Sequence, residues 1–89
     1  EAMMAAAQEM GLTPAIGRQL ALATFAGATE LALRSDEPAE LLRERVTSKG
    51  GTTFAAIQSL ERDGLKAVIV KAVRAAQQRA RELGDEFGA

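Results

Sequence analysis

The sequence predicts an all-α fold of about five helices, and three observations predict it. Ala, Leu, Glu, Arg and Gln, all good helix formers, dominate the 89 residues. The larger apolar residues recur every three or four positions, which is the period of a helix face rather than of a strand. Breaks fall at Gly11-Leu12-Thr13-Pro14, around Asp36-Glu37-Pro38, at Ser48 to Thr53 and at Gly64, and each carries turn or capping chemistry.

The first helix should cover about Ala2 to Met10, with Met3, Ala6, Ala7 and Met10 on one face. Gly11 suits the left-handed position after the last turn, with Leu12 as the accompanying hydrophobic contact. The second helix should start with Thr13 as N-cap and Pro14 at the first helical position, and run to about Arg34. Its centre, Leu20 to Ala28, reads LALATFAGA, in which Thr24 alone is polar. A helix that is apolar on every side is expected to be buried on every side. Thr24 and Thr29 either bond back to carbonyls of their own helix or face a cavity. Glu30 and Arg34 are spaced to form a surface pair.

The third helix is short, about Glu37 to Val46, with Asp36 as N-cap and Pro38 in the first turn. Asp36, Glu37 and Glu40 lie at its start and Arg43 and Arg45 near its end, an order that complements the helix dipole. That role explains the acids more simply than a hard cation does, so no metal site is expected. Leu41, Leu42 and Val46 form its apolar side. The fourth helix should cover about Thr52 to Arg62, with Phe54, Ile57 and Leu60 inward and Gly64 as the stop. The fifth runs from about Leu65 to Leu83 or a little beyond. Leu65, Ile69, Val73, Ala76, Ala80, Leu83 and Phe87 form a continuous apolar seam along it. The tail from Gly84 to Ala89 should fray.

Length and composition bound the function. At 9.4 kDa the chain is at most one domain. Of its apolar residues 19 are alanine, which leaves 23 larger side chains. A chain this short buries only roughly 60–65% of its unfolded surface, so it has little material to surround helix two. A second copy would supply it, and Ala21, Ala23, Ala26, Gly27 and Ala28 would let another backbone approach closely. A homodimer is therefore expected, with any higher assembly left open. The net charge of −1 and the lack of Trp and Tyr argue against a nucleic-acid binder. The absence of Cys and His excludes disulfides, thiolate or imidazole metal sites and a histidine base. No stretch is apolar and long enough to span a bilayer, and no signal peptide is evident, so a cytoplasmic protein is expected. The polar side of helix five is mixed in sign, which counts against a membrane-surface helix. The opening on Glu1, inside a helix, reads as a fragment boundary.

The segment Thr47-Ser48-Lys49-Gly50-Gly51-Thr52-Thr53 holds more polar chemistry than a connection needs. Two glycines permit unusual backbone angles and close approach. The segment opens a helix, so amide N–H groups there lack intrahelical partners. With the hydroxyls of Ser48, Thr52 and Thr53 beside them, they suit a small anion, carboxylate or phosphate. The plainer reading is a loop and a helix cap that needs one hydroxyl, with Lys49 a solvated lysine. It is not a P-loop, because the lysine precedes the glycines.

Three stretches together resemble a known family. They are Pro38-Ala39-Glu40-Leu41-Leu42, then Val46-Thr47-Ser48-Lys49-Gly50-Gly51-Thr52-Thr53, then Arg79-Ala80-Arg81-Glu82-Leu83-Gly84 in the Ala-rich last helix. Gly11-Leu12-Thr13-Pro14 and Gly27-Ala28 extend the match over essentially the whole chain. The sequence resembles the C-terminal helical dimerisation domain of pyrroline-5-carboxylate reductase, an oxidoreductase of proline biosynthesis. The resemblance implies an intertwined homodimer and a parent enzyme that reduces 1-pyrroline-5-carboxylate to L-proline with NAD(P)H. It implies that residues 1–89 are the dimerisation and substrate-loop domain, with the N-terminal Rossmann domain absent. It assigns the carboxylate of the substrate or of proline to Ser48, Gly50, Gly51, Thr52 and Thr53. Thr53 would face the ring nitrogen and is the single candidate for a catalytic role. No cofactor would bind this chain alone, and the isolated chain should be inactive. Many members carry Pro where Lys49 stands, which bears on the stiffness of the loop. The competing reading is a stand-alone helical protein–protein interaction module without a ligand.

Overall fold

A computed structural model describes residues 1–88 and shows five helices: α1 (Ala2–Glu9), α2 (Pro14–Leu33), α3 (Ala39–Arg45), α4 (Thr52–Arg62) and α5 (Leu65–Glu86). No strand occurs among the described residues. The chain divides into two units, Glu1–Arg45 and the residues from Val46 onward.

In the first unit, α1 packs on α2. The joint is set by Gly11 at the end of α1 and by Thr13 and Pro14 at the start of α2. Gly11 adopts φ +91° after the C-cap Met10. Its N–H donates to the Gln8 carbonyl at 3.0 Å, and the Leu12 N–H donates to the Ala7 carbonyl at 3.0 Å. This is the double-bonded left-handed ending that the Gly-Leu pair predicts. Two residues later Thr13 caps α2, its Oγ1 accepting from the Ile16 N–H at 3.3 Å, with Pro14 first in the helix. The reversal brings Ala7 against Gly17, the two buried residues of this unit. A Cβ on Gly17 would stand 3.1 Å from the Ala7 Cβ and 3.6 Å from the Met4 carbonyl oxygen. The contact face of α1 thus centres on Met4 and Ala7. Met3 and Met10, expected beside Ala7, are exposed.

Thr24 Oγ1 donates to the Leu20 carbonyl at 2.8 Å, so it serves its own helix rather than a cavity. Arg34 pairs with Glu30 at 2.6 Å, as the spacing predicts. The third helix is shorter than expected. Glu37 lies outside it and the Pro38 carbonyl accepts from the N–H groups of Leu41 and Leu42. The reason is local: a residue before proline is pushed out of the helical region, so the helix cannot include Glu37. Asp36 therefore cannot be the N-cap. Ser35 takes a capping-like part instead, its Oγ accepting from the Glu37 N–H at 3.1 Å. The Glu37 carboxylate bonds the Arg45 guanidinium at 2.6 Å. Among the described residues no three carboxylates converge as a cation site would require. Val46 falls past the helix and is exposed.

In the second unit α4 packs on α5. Gly64, at φ +71°, ends α4 and serves as N-cap of α5. Its N–H donates to the Glu61 carbonyl and its own carbonyl accepts from Val68, both at 3.1 Å. Phe54 and Ile57 are half-buried, while Leu60, expected inward, is exposed. The α5 helix continues through Gly84, Asp85 and Glu86, where fraying was expected. Gly88 then turns the chain at φ +73°, and Ala89 lies outside the described residues.

Little of the apolar surface is covered. Apart from Gly17, no residue of α2 is buried, and Phe25 is 64% and Leu33 77% exposed. The helix that its composition marks for burial is thus open in a single copy.

Candidate functional site

The segment between α3 and α4 folds as a tight turn leading straight into a helix. The Gly51 N–H donates to the Ser48 carbonyl at 3.0 Å, which closes the turn Ser48-Lys49-Gly50-Gly51. Gly50, at the third position, has φ +77°. With no positive φ at Lys49, this is a type II turn, whose third position needs glycine. Lys49 occupies the second position, the one where proline is common in this turn. A lysine there still forms the turn.

Gly51 is the N-cap of α4, with extended backbone at φ −86° and ψ −176°. The Ala55 N–H donates to its carbonyl at 3.1 Å, the first bond of the helix. Gly51 has no side chain with which to cap this end, and among the described residues the amides of Thr52, Thr53 and Phe54 are left without an intrahelical acceptor. The capping explanation of the hydroxyls therefore has no bond behind it here. Ser48 leans over Gly51 instead: a Cβ on Gly51 would collide with the Ser48 Oγ and lie 3.2 Å from its carbonyl oxygen. Glycine at 51 is what allows the serine hydroxyl to sit at the mouth of the helix.

One expectation changes. The Gly51 N–H is consumed by the turn, so it is not a free donor. The open amides begin at Thr52, and the contribution of Gly51 is room. Ser48, Lys49, Gly50, Thr52 and Thr53 are exposed and Gly51 is half-buried. The geometry offers an anion one hydroxyl, several amide donors at the positive end of an eleven-residue helix, and a lysine in the turn. A shallow groove of about 510 Å³ lies elsewhere, along Gly64, Lys66, Ala67, Val70, Lys71 and Arg74, and does not include this segment.

A family model described as pyrroline-5-carboxylate reductase dimerisation matches residues 1–83. The chain belongs to the pyrroline-5-carboxylate reductase dimerisation family. It is 45% identical over 89 residues to the pyrroline-5-carboxylate reductase of Pseudomonas aeruginosa, covering 99% of this chain and 32% of that protein. It is 45% identical over 74 residues to the Synechocystis enzyme of the same name, covering 83% of this chain and 28% of that one. The crystal structure of the Plasmodium falciparum pyrroline carboxylate reductase with NADP bound superposes with a TM-score of 0.87 at 30% identity. That match covers 93% of this chain and 33% of the other. The chain thus spans about a third of the length of the relatives it matches. A dimerisation family is what an apolar helix left open in one copy calls for, since a second copy can cover it.

Proposed function

We propose that this chain is the dimer-forming and carboxylate-holding domain of an NAD(P)H-dependent pyrroline-5-carboxylate reductase. Such an enzyme reduces 1-pyrroline-5-carboxylate to L-proline. The observation that carries the site is the uncapped start of α4 with the Ser48 hydroxyl held over Gly51. The Ser48 O–H donates to one carboxylate oxygen. The open amides of Thr52 and its neighbours donate to the other, and Gly50 and Gly51 keep the approach clear. Thr53 lies one residue further into the helix, and in this reading its hydroxyl is the one that meets the ring nitrogen. The work of these residues is to hold and orient, which is a large share of catalysis when two reactants must meet.

The residues described here do not fit a dinucleotide. They form no strand, so the strand-to-helix turn that cradles a pyrophosphate has nothing to build on. A preceding Rossmann domain of the whole enzyme would carry the NAD(P)H. The reading includes a cytoplasmic homodimer. No helix of the described residues is long and apolar enough to cross a membrane.

The test is to titrate L-proline into isotope-labelled chain and follow the amide resonances. Shifts centred on Gly50, Gly51, Thr52 and Thr53 are expected. Proline binding elsewhere, or no shift at saturating ligand, overturns the site and returns the chain to an interaction module. Purified chain mixed with substrate and NAD(P)H should oxidise none of the cofactor.

A further inference from the structure

From Val46 to Leu60 the chain carries a single charge, the ammonium of Lys49. It stands exposed in the turn that opens α4 and makes no ion pair among the described residues. A cation at the start of a helix opposes the helix dipole, which favours cations at the other end. The first turn of α4 has no acidic residue to offset that conflict. An anion held by the turn offsets the lysine and the dipole together. The proposed reaction changes the charge of what is held. Hydride from the cofactor goes to the ring carbon of the imine and a proton goes to the nitrogen. The saturated amine then takes up one further proton from water, because an imine is a far weaker base than the amine it becomes. At neutral pH the substrate thus arrives as a carboxylate alone, and proline leaves as a carboxylate beside an ammonium.

We propose that Lys49 lets the site tell substrate from product by charge: it strengthens the hold on the anionic substrate and adds little to the hold on the zwitterionic product. This role of Lys49 rests on the carboxylate-holding reading of Ser48 to Thr53. The flexible four-carbon stem of a lysine lets its ammonium approach a carboxylate over the turn. At a separation of roughly 7 Å the attraction is worth about threefold in affinity even at the dielectric of water. With the amine of proline roughly 3 Å further out, its repulsion cancels most of that gain and leaves about 1.3-fold. The surplus belongs to the substrate, so the charge draws substrate in without holding product back.

Two ring carboxylates separate the charge states. Cyclopentanecarboxylate, with carbon in place of the nitrogen, is an anion only, and L-proline is a zwitterion. Each is titrated into isotope-labelled native chain, K49Q and K49R, following the amides of Gly50 to Thr53. Ionic strengths of about 0.05 M and 0.5 M shorten the Debye length from roughly 14 Å to 4 Å. At the lower salt K49Q should bind cyclopentanecarboxylate about threefold more weakly than the native chain, and proline within about 1.5-fold of it. K49R should match the native chain, and the higher salt should erase most of the difference. Equal weakening of both ligands by K49Q, or of neither, overturns the role of Lys49 and leaves the site standing. Weakening shared by K49R means that Lys49 shapes the turn, which overturns it too, as does binding of proline alone. If neither ligand moves these amides in the native chain at saturation, the site itself falls and this inference with it.

Discussion

Gly51 and Ser48 make one device. The missing side chain at 51 leaves the space that the Ser48 hydroxyl occupies. If Ser48 holds a carboxylate as proposed, replacing it by Ala removes one hydrogen bond to a charged group, about 1.5–3 kcal/mol. The affinity for proline, measured by titration, should fall roughly 10- to 100-fold with the helices unchanged. Gly51→Ala should also weaken binding, because its Cβ pushes the serine away. Lys49 gives the opposite kind of prediction. It sits where the type II turn favours proline, and its N–H is not needed by the turn. K49P should therefore stabilise the chain by about 0.4–1 kcal/mol, through a less flexible unfolded state. Urea unfolding checks it, and a loss of stability would mean that the turn is not of this type. These two positions also show the reach of sequence reading. The Gly-Gly pair and the hydroxyls marked the segment. That the Gly51 N–H is spent on Ser48 was not legible, because it depends on the dihedral angles of the turn rather than on residue types.

At the scale of elements, the boundaries that were legible are those set by residues within one turn of the boundary. Gly11, Thr13, Pro14 and Gly64 all act where they were expected. Thr13→Ala should cost about 1 kcal/mol by removing the single side-chain cap of α2, readable as a lower unfolding midpoint. The start of α3 was misplaced because acids before a helix look like caps, while the restriction that Pro38 puts on Glu37 is stronger. The end of α5 was misplaced for a related reason. Gly84 lowers helix propensity by about 1 kcal/mol, yet twenty-two residues of helix carry it along.

For the whole molecule, the open α2 decides the behaviour. If a second copy covers it, folding and association are coupled, and the thermal midpoint should rise with chain concentration. A midpoint independent of concentration would contradict the dimer. Phe25 provides a sharper reading. In a lone chain an exposed phenylalanine can be replaced at little cost. At an interface, Phe25→Asp loses about 1.5–3 kcal/mol per copy, so the dimer dissociation constant should rise at least about a hundredfold. Sedimentation or light scattering over a dilution series measures it.

The sequence by itself determined the all-α class, the order of the five helices and the glycine- and proline-marked breaks between them. Each of these depends on neighbours along the chain, whose geometry a few glycines, prolines and hydroxyls dictate. Tertiary structure alone decided which face of α1 meets α2, since the closeness of Ala7 and Gly17 depends on how two helices cross. It also decided that Ser48 stands over Gly51 and that α2 lies open in one copy, because burial belongs to the packed chain and not to the run of residues.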